Sequence, residues 1–202
     1  AQISDWANDI GFVFDNEAPL TAPKPTIAIL AGNQLLRFVN HGVKGDTSSL
    51  QLDGKSWLDL PAFRTPLVAG GRSLQIKGTI RPTSPAGVVF AHGGNRAGYS
   101  VYLEEYHLCF AACVNNKRTV VRSSSAITGS ASFEANWNSK GELFLKMNGK
   151  LVGKSTAGII HHEPGDSIQI GADLIQPVGN YKTPNHFSGT IENLTFKYPT
   201  GN

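Results

Sequence analysis

Apolar residues along this chain recur at every second position rather than every third or fourth. In SLQIKGTIRP (73–82), Leu74, Ile76 and Ile80 point one way, while Gln75, Lys77, Thr79 and Arg81 point the other. GYSVYLEE (98–105) sets Tyr99, Val101 and Leu103 against Ser100, Tyr102 and Glu104. SFEANWN groups Phe133, Ala135 and Trp137, and GELFLKMNG groups Leu143, Leu145 and Met147. Period 2 is the pattern of strands that bury one face. No segment sustains an apolar repeat near 3.6 over three turns, and the only helical candidate is a short turn near SDWANDI (4–10).

Turn chemistry falls between these runs. Asn148-Gly149 is a strong two-residue hairpin signal because both residues tolerate positive φ, and Asn115-Asn116 repeats it. EEYH, PTSPAG and NSKG also suit tight turns. Hairpin following hairpin predicts an antiparallel meander rather than βαβ units. A sheet of roughly 11 to 14 strands splits or curls into two packed layers. The predicted fold is therefore all-β, a two-sheet antiparallel β-sandwich. APLTAPKPT (18–26) is proline-rich, but strand-like GFVFD (11–15) precedes it and LLRFVN (35–40) follows, so it reads as a long loop inside one domain spanning 1–202.

Composition narrows the function. Charged residues are only 16% of the 202, with 22 Gly and 11 Pro, which suits short strands and tight turns. The net charge is +3 and Lys and Arg are scattered singly, which argues against a nucleic-acid partner, since that needs a basic stripe or patch. No apolar run approaches the roughly 18 residues of a membrane span, and no charged-then-apolar leader stands at AQISDW. Cys109 and Cys113 lie four apart on one strand face, about 13 Å between backbones. That exceeds the reach of a disulfide, so they read as two free, packed thiols.

Catalytic patterns do not emerge. The ExDxxE arrangement of glucan-cleaving jelly rolls, which aims two carboxylates at one sugar, is absent; Glu104 and Glu105 are adjacent and diverge on a strand. There is no GxSxG elbow. Ser123, Ser124 and Ser125 read as polar edge and loop. His161 and His162 are consecutive and no HExxH exists. His107 with the two cysteines lacks a CxxC partner. The most distinctive polar stretch is HGGNR (92–96), glycine-rich between two strands, where His92, Asn95 and Arg96 offer donors at a loop tip. Arg96 can fork onto a sulfate or carboxylate. Tyr102, Tyr106 and Tyr181 are candidate platforms for a pyranose ring, whereas alternation assigns Tyr99, Trp57 and Trp137 to the core.

Three stretches together resemble one family. SLQLDGKSWLDLP (49–61) resembles the opening strand pair of the bacterial laminin-G-like, concanavalin A-like jelly rolls. GVVFAHGGNRAGYSVYL (87–103) resembles their central hairpin, and PGDSIQIGADLIQPVGNYKTPNHFSGTIENLTFKY (164–198) their closing segment. Order and spacing agree over 49–198, and 1–48 sits where the first strands and a long loop belong. The wording is similar to modules attached to bacterial arylsulfatases and glycoside hydrolases. Departures are Glu105-Tyr106 where Asp-Gly is frequent, Ser132-Phe133-Glu134 where a Trp-His pair precedes a strand, and Glu192 where the last strand carries Asp.

The resemblance implies a noncatalytic module that binds a polysaccharide or oligosaccharide. It would work with a catalytic domain or partner enzyme in an extracellular or periplasmic setting. No cofactor is required, but such domains often clamp their first and last strands with calcium, for which Asp15 and Glu192 are the candidate ligands. Two alternatives stay open: a glycan hydrolase with unfamiliar carboxylate placement, and a protein-interaction or packing module.

Overall fold

The computed structural model describes residues 24–62, 65 and 71–198. The SDWANDI turn, GFVFD and Asp15 lie outside the described residues. Strands come first as β1 (Thr26–Ala31), β2 (Gln34–His41), β3 (Lys44–Gly45), β4 (Ser49–Asp53), β5 (Trp57–Leu60) and β6 (Leu74–Pro82). The central run is β7 (Gly87–Gly93), β8 (Ala97–Glu104), β9 (His107–Val114) and β10 (Lys117–Ala126). There follow β11 (Ala131–Trp137), β12 (Glu142–Met147), β13 (Lys150–Thr156), β14 (Ile168–Ile170), β15 (Ala172–Asp173), β16 (Asn185–His186) and β17 (Ser188–Lys197).

The all-β expectation holds, and the two layers are one sheet curled over itself. Its hydrogen-bonded order is β10-β9-β8-β7-β14-β5-β2-β1-β17-β6-β11-β12-β13, with β3 and β4 attached beside β17. The free ends of this path meet: a Cβ on Gly153 of β13 would stand 2.5 Å from Cγ1 of Val121 in β10. Only glycine lets the edges approach so closely. Among the described residues every pairing is antiparallel except β1 with β17, where Leu30 pairs with Thr195.

The hairpin turns form where the sequence asks for them. Asn148 and Gly149 take φ of 51° and 75°, and Asn115 and Asn116 take 51° and 65°. Glu105 and Tyr106 make the same kind of turn with φ of 52° and 63°, although neither side chain favours it.

Between the layers lies the main core. Phe38, Phe90, Phe110, Phe187 and Phe196 are fully buried, with Phe196 edge-on to Phe38 at 6.2 Å and to Phe90 at 5.3 Å. Each contributes about 1.5–3 kcal/mol by leaving water. Trp137 joins this core as expected, and its indole N–H donates to the Gly158 carbonyl at 3.0 Å. One polar chain crosses the apolar interior: His92 Nδ1 to Tyr99 Oη at 2.8 Å, then Tyr99 Oη to Tyr198 Oη at 2.7 Å.

A second apolar cluster sits on the outer face of β7–β9, made by Val88, Ala91, Tyr102, Cys109, Ala111 and Cys113. The loop 174–184 covers it by setting Val178 among these residues and Tyr181 beside them. Both thiols are free and buried there. Burial pushes Cys109 up to about 11 and also raises Cys113, so neither is a ready thiolate at neutral pH.

Candidate functional site

The β7–β8 turn ends one side of the molecule. Gly93 adopts φ of 78°, and a Cβ on Gly94 would fall 2.7 Å from the Gln176 side chain and 3.4 Å from the Asp166 carboxylate. The missing side chains open a cleft of about 340 Å³. It is lined by Arg96 and Ala97 of this hairpin, by His162, Glu163 and Asp166 from the segment before β14, and by Gln176 from the covering loop. The volume falls within the roughly 300–1,000 Å³ of small-ligand sites.

Arg96 is exposed, and its guanidinium has no side-chain hydrogen bond or ion pair among the described residues. A guanidinium, a carboxamide, an imidazole and two carboxylates therefore converge on one opening. Planar donors and acceptors of this kind match paired hydroxyls, and the guanidinium adds a fork for an acidic group.

The sequence-nominated residues do not all gather there. Arg96 lines the cleft, and Asn95 is exposed at the turn beside it. His92 is not at the loop tip: it belongs to β7, is fully buried and faces the main core. Burial lowers its imidazole to about 3, so it is neutral, and Nε2 has no hydrogen-bond partner among the described residues. The loop really begins two residues later, because β7 pairs with β8 as far as Gly93–Gly98.

Tyr102 and Tyr181 are structural in position. Tyr102 is buried under the covering loop, its hydroxyl accepting from the Asn180 amide at 3.2 Å, with the Tyr181 ring 4.8 Å away. Tyr181 donates its hydroxyl to Asp173 at 2.7 Å. Burial is the main cause raising both phenols above their ordinary value. Tyr106 stands at the far end of β8 from Arg96, about 25 Å along the strand. Glu192 pairs through its backbone with Ser49 and Thr79, and its proposed calcium partner, Asp15, lies outside the described residues. Among the described residues no group of three or more His, Cys, Asp and Glu could hold a metal ion.

Sequence reading missed His162, Asp166 and Gln176, which sit in irregular segments where alternation carries no information. It also misplaced Trp57. Leu58 and Leu60 are fully buried, so Trp57 and Asp59 point to the outer face, where Trp57 is half-buried and stacked on His41 at 4.3 Å.

No family model and no curated protein matches the sequence. Solved structures do match in fold. Domains LG4-5 of the mouse laminin α1 chain superpose with TM-score 0.58 at 17% identity over 77% of this chain and 43% of that one. Botulinum neurotoxin type C, described as entering cells through interaction with two ganglioside molecules, gives 0.60 at 13% over 88% and 48%. The Ruminococcus gnavus sialidase module CBM40 bound to α2,3-sialyllactose gives 0.56 at 12% over 77% and 92%. The chain spans less than half the length of the laminin and neurotoxin chains it matches. At these identities the likeness speaks for fold. The chain has the all-β, laminin-G-like and concanavalin A-like jelly-roll fold.

Proposed function

We propose that this chain is a noncatalytic carbohydrate-binding module whose ligand occupies the Arg96 cleft. The observation that carries the reading is the unpartnered guanidinium of Arg96 beside Asp166, Gln176 and His162 around an opening of about 340 Å³. Two of the fold neighbours are described with sialyllactose or gangliosides, which supports a glycan as the ligand class. The finer form of the proposal attaches the module to a secreted bacterial polysaccharide-degrading enzyme, a sulfatase or glycosidase. A structural calcium between Asp15 and Glu192 belongs to the same proposal.

The test is thermal-shift screening against neutral and sulfated polysaccharides, each with CaCl₂ and with EDTA, followed by Arg96→Ala. A native-state binder raises the midpoint by mass action. A shift with one glycan class that Arg96→Ala abolishes supports the reading; no shift with any polysaccharide overturns it.

One observation favours a second reading, glycan hydrolysis: Glu163 and Asp166 line the same cleft, and paired carboxylates are what glycoside hydrolysis requires. Release of reducing ends from a bound polysaccharide, lost in both Glu163→Gln and Asp166→Asn, would establish it.

A further inference from the structure

Beyond the cleft, the outer face of β5 and β2 is part-exposed among the described residues, while Gln169 of β14 is buried beneath the loop 174–184. Alternation sets its composition. Ile168 and Ile170 of β14 go to the core, so Gln169 faces out; its register partner on β5 is Asp59, and beyond Asp59 comes Val39 of β2. On the next outward row His41 pairs with Trp57.

Trp57 stacks on His41 with the planes 7° apart, and His186 meets it edge-on at 5.8 Å. All three are part-exposed, and the Trp57 indole N–H has no partner among the described residues. Continuing the β14–β5 register opposes Trp57 to Gly171, where a Cβ would run into Leu52, so on that side Trp57 meets only the edge of His186 among the described rings. An aromatic surface with a free N–H at its rim suits a ligand that is apolar on one face and polar at its edge. A pyranose is such a ligand, because its C–H groups form the apolar face and its hydroxyls the edge.

The platform lies along the strand direction from the cleft. Asp166 lies five positions before Gly171, so Trp57 stands about 16 Å along the strand direction from the cleft wall. Between them run Ser167, Gln169 and Asp59, with Gln169 Nε2 at 3.5 Å from Asp59 Oδ1. The covering loop walls one side: the Leu174 amide donates to Gln169 Oε1 at 2.9 Å, and Ile175 is 63% exposed.

We propose that this strip is an extended subsite for a polymeric glycan, with one end of the chain in the Arg96 cleft and a later sugar stacked on Trp57. The inference rests on the carbohydrate-binding reading and deepens it: the ligand is a chain of several units, not a single terminal sugar. Asp59 accepts hydroxyl groups midway, and Trp57 supplies the aromatic contact the cleft lacks.

Calorimetric titration with cello-, laminari- and heparin-derived oligosaccharide ladders, from disaccharide to octasaccharide, tests it. In the bound series, affinity should rise about tenfold with length before levelling. Trp57→Ala should remove that rise while leaving disaccharide binding unchanged, and Trp57→Tyr should restore most of it. Arg96→Ala should weaken every length. Affinity independent of length in the wild-type protein, or a Trp57→Ala ladder identical to wild type, overturns the extended subsite while leaving the cleft reading intact. No binding by any ladder overturns both. His41→Ala, which uncovers one Trp57 face without removing the indole, should alter only the longer oligosaccharides and guards against a folding defect in Trp57→Ala.

Discussion

Arg118 Nε donates to the Val178 carbonyl at 2.8 Å, and so ties the outermost strand of the sheet to the loop 174–184. Nη2 of the same guanidinium reaches the Pro177 carbonyl at 3.1 Å, and Nη1 reaches Asn180 Oδ1 at 3.4 Å. One side chain thereby holds three residues, Pro177, Val178 and Asn180, of a loop that also carries Gln176 into the cleft.

Arg118→Ala should cost about 2 kcal/mol, since hydrogen bonds to a charged donor are worth roughly 1.5–3 kcal/mol. The thiol of Cys113 lies under Val178, 3.4 Å from its carbonyl. Loosening the loop should therefore speed labelling of Cys113 by a thiol reagent under native conditions. Labelling at the wild-type rate would show that Arg118 does not hold the loop down.

Asp173 gives a pH signature. It is 3% exposed, and burial raises its carboxyl to about 6 against the pull of hydrogen bonds from Tyr181 and the Ile175 and Val178 amides. The folded state then binds this proton more tightly than the unfolded chain does. Its contribution is fully present below about pH 4 and is lost as pH rises through about 6. Asp173→Asn should flatten that part of the profile of melting temperature against pH while keeping an acceptor for Tyr181. A profile unchanged between pH 4 and 6 would count against it.

His92 works in the opposite direction. Its folded value of about 3 lies below the ordinary 6.5, so the unfolded chain takes up the proton first. Stability from this residue is full above about pH 6.5 and falls as pH drops towards 3. His92→Leu should cost within about 1 kcal/mol at neutral pH, because it removes both a hydrogen bond and an unpartnered nitrogen. It should gain over wild type as the solution is acidified, as denaturant titrations at pH 7 and pH 4 would show.

Gly94 keeps the cleft open. Gly94→Ala places a methyl group 2.7 Å from Gln176 Cβ and must displace that side chain. Glycan affinity should fall several-fold and the melting temperature should drop as well, because rotating the Gln176 side chain leaves its Cβ in place and the backbone of the loop 174–184 has to move. Retained affinity would mean that Gln176 does not touch the ligand.

Tyr106 holds φ of 63°, a conformation a bulky side chain adopts only at a cost. Its turn hydrogen bonds are made by backbone, the amide to the Pro85 carbonyl at 2.7 Å and the carbonyl to the Ile127 amide at 2.9 Å. Tyr106→Gly should therefore stabilise the protein by about 1 kcal/mol, measured by urea denaturation. A loss of stability would show that the ring contributes more than the backbone conformation costs.

Alternation and turn residues made most of the fold legible. Leu74, Ile76 and Ile80, like Phe133, Ala135 and Trp137, are buried as a period of 2 requires. Asn148-Gly149 and Asn115-Asn116 turn where they should. Alternation did not reveal that Tyr102 and Ala111 are buried too, because the cover on their face comes from a loop some 70 residues later. For the same reason Trp57 read as core. WLDL alternates, but a period of 2 says that Trp57 and Leu58 point apart without saying which face has a partner.

By itself, then, the sequence determined the all-β class, the hairpin turns and the residues that share a face, because those follow from local φ preferences and the pleat of a strand. Tertiary structure alone decided which face is inside, that His92 is sealed in the core, and that Arg96 meets His162, Asp166 and Gln176 around one cleft. Those residues come from three separate segments, and only the curl of the sheet and the seating of the 174–184 loop bring them within reach of one ligand.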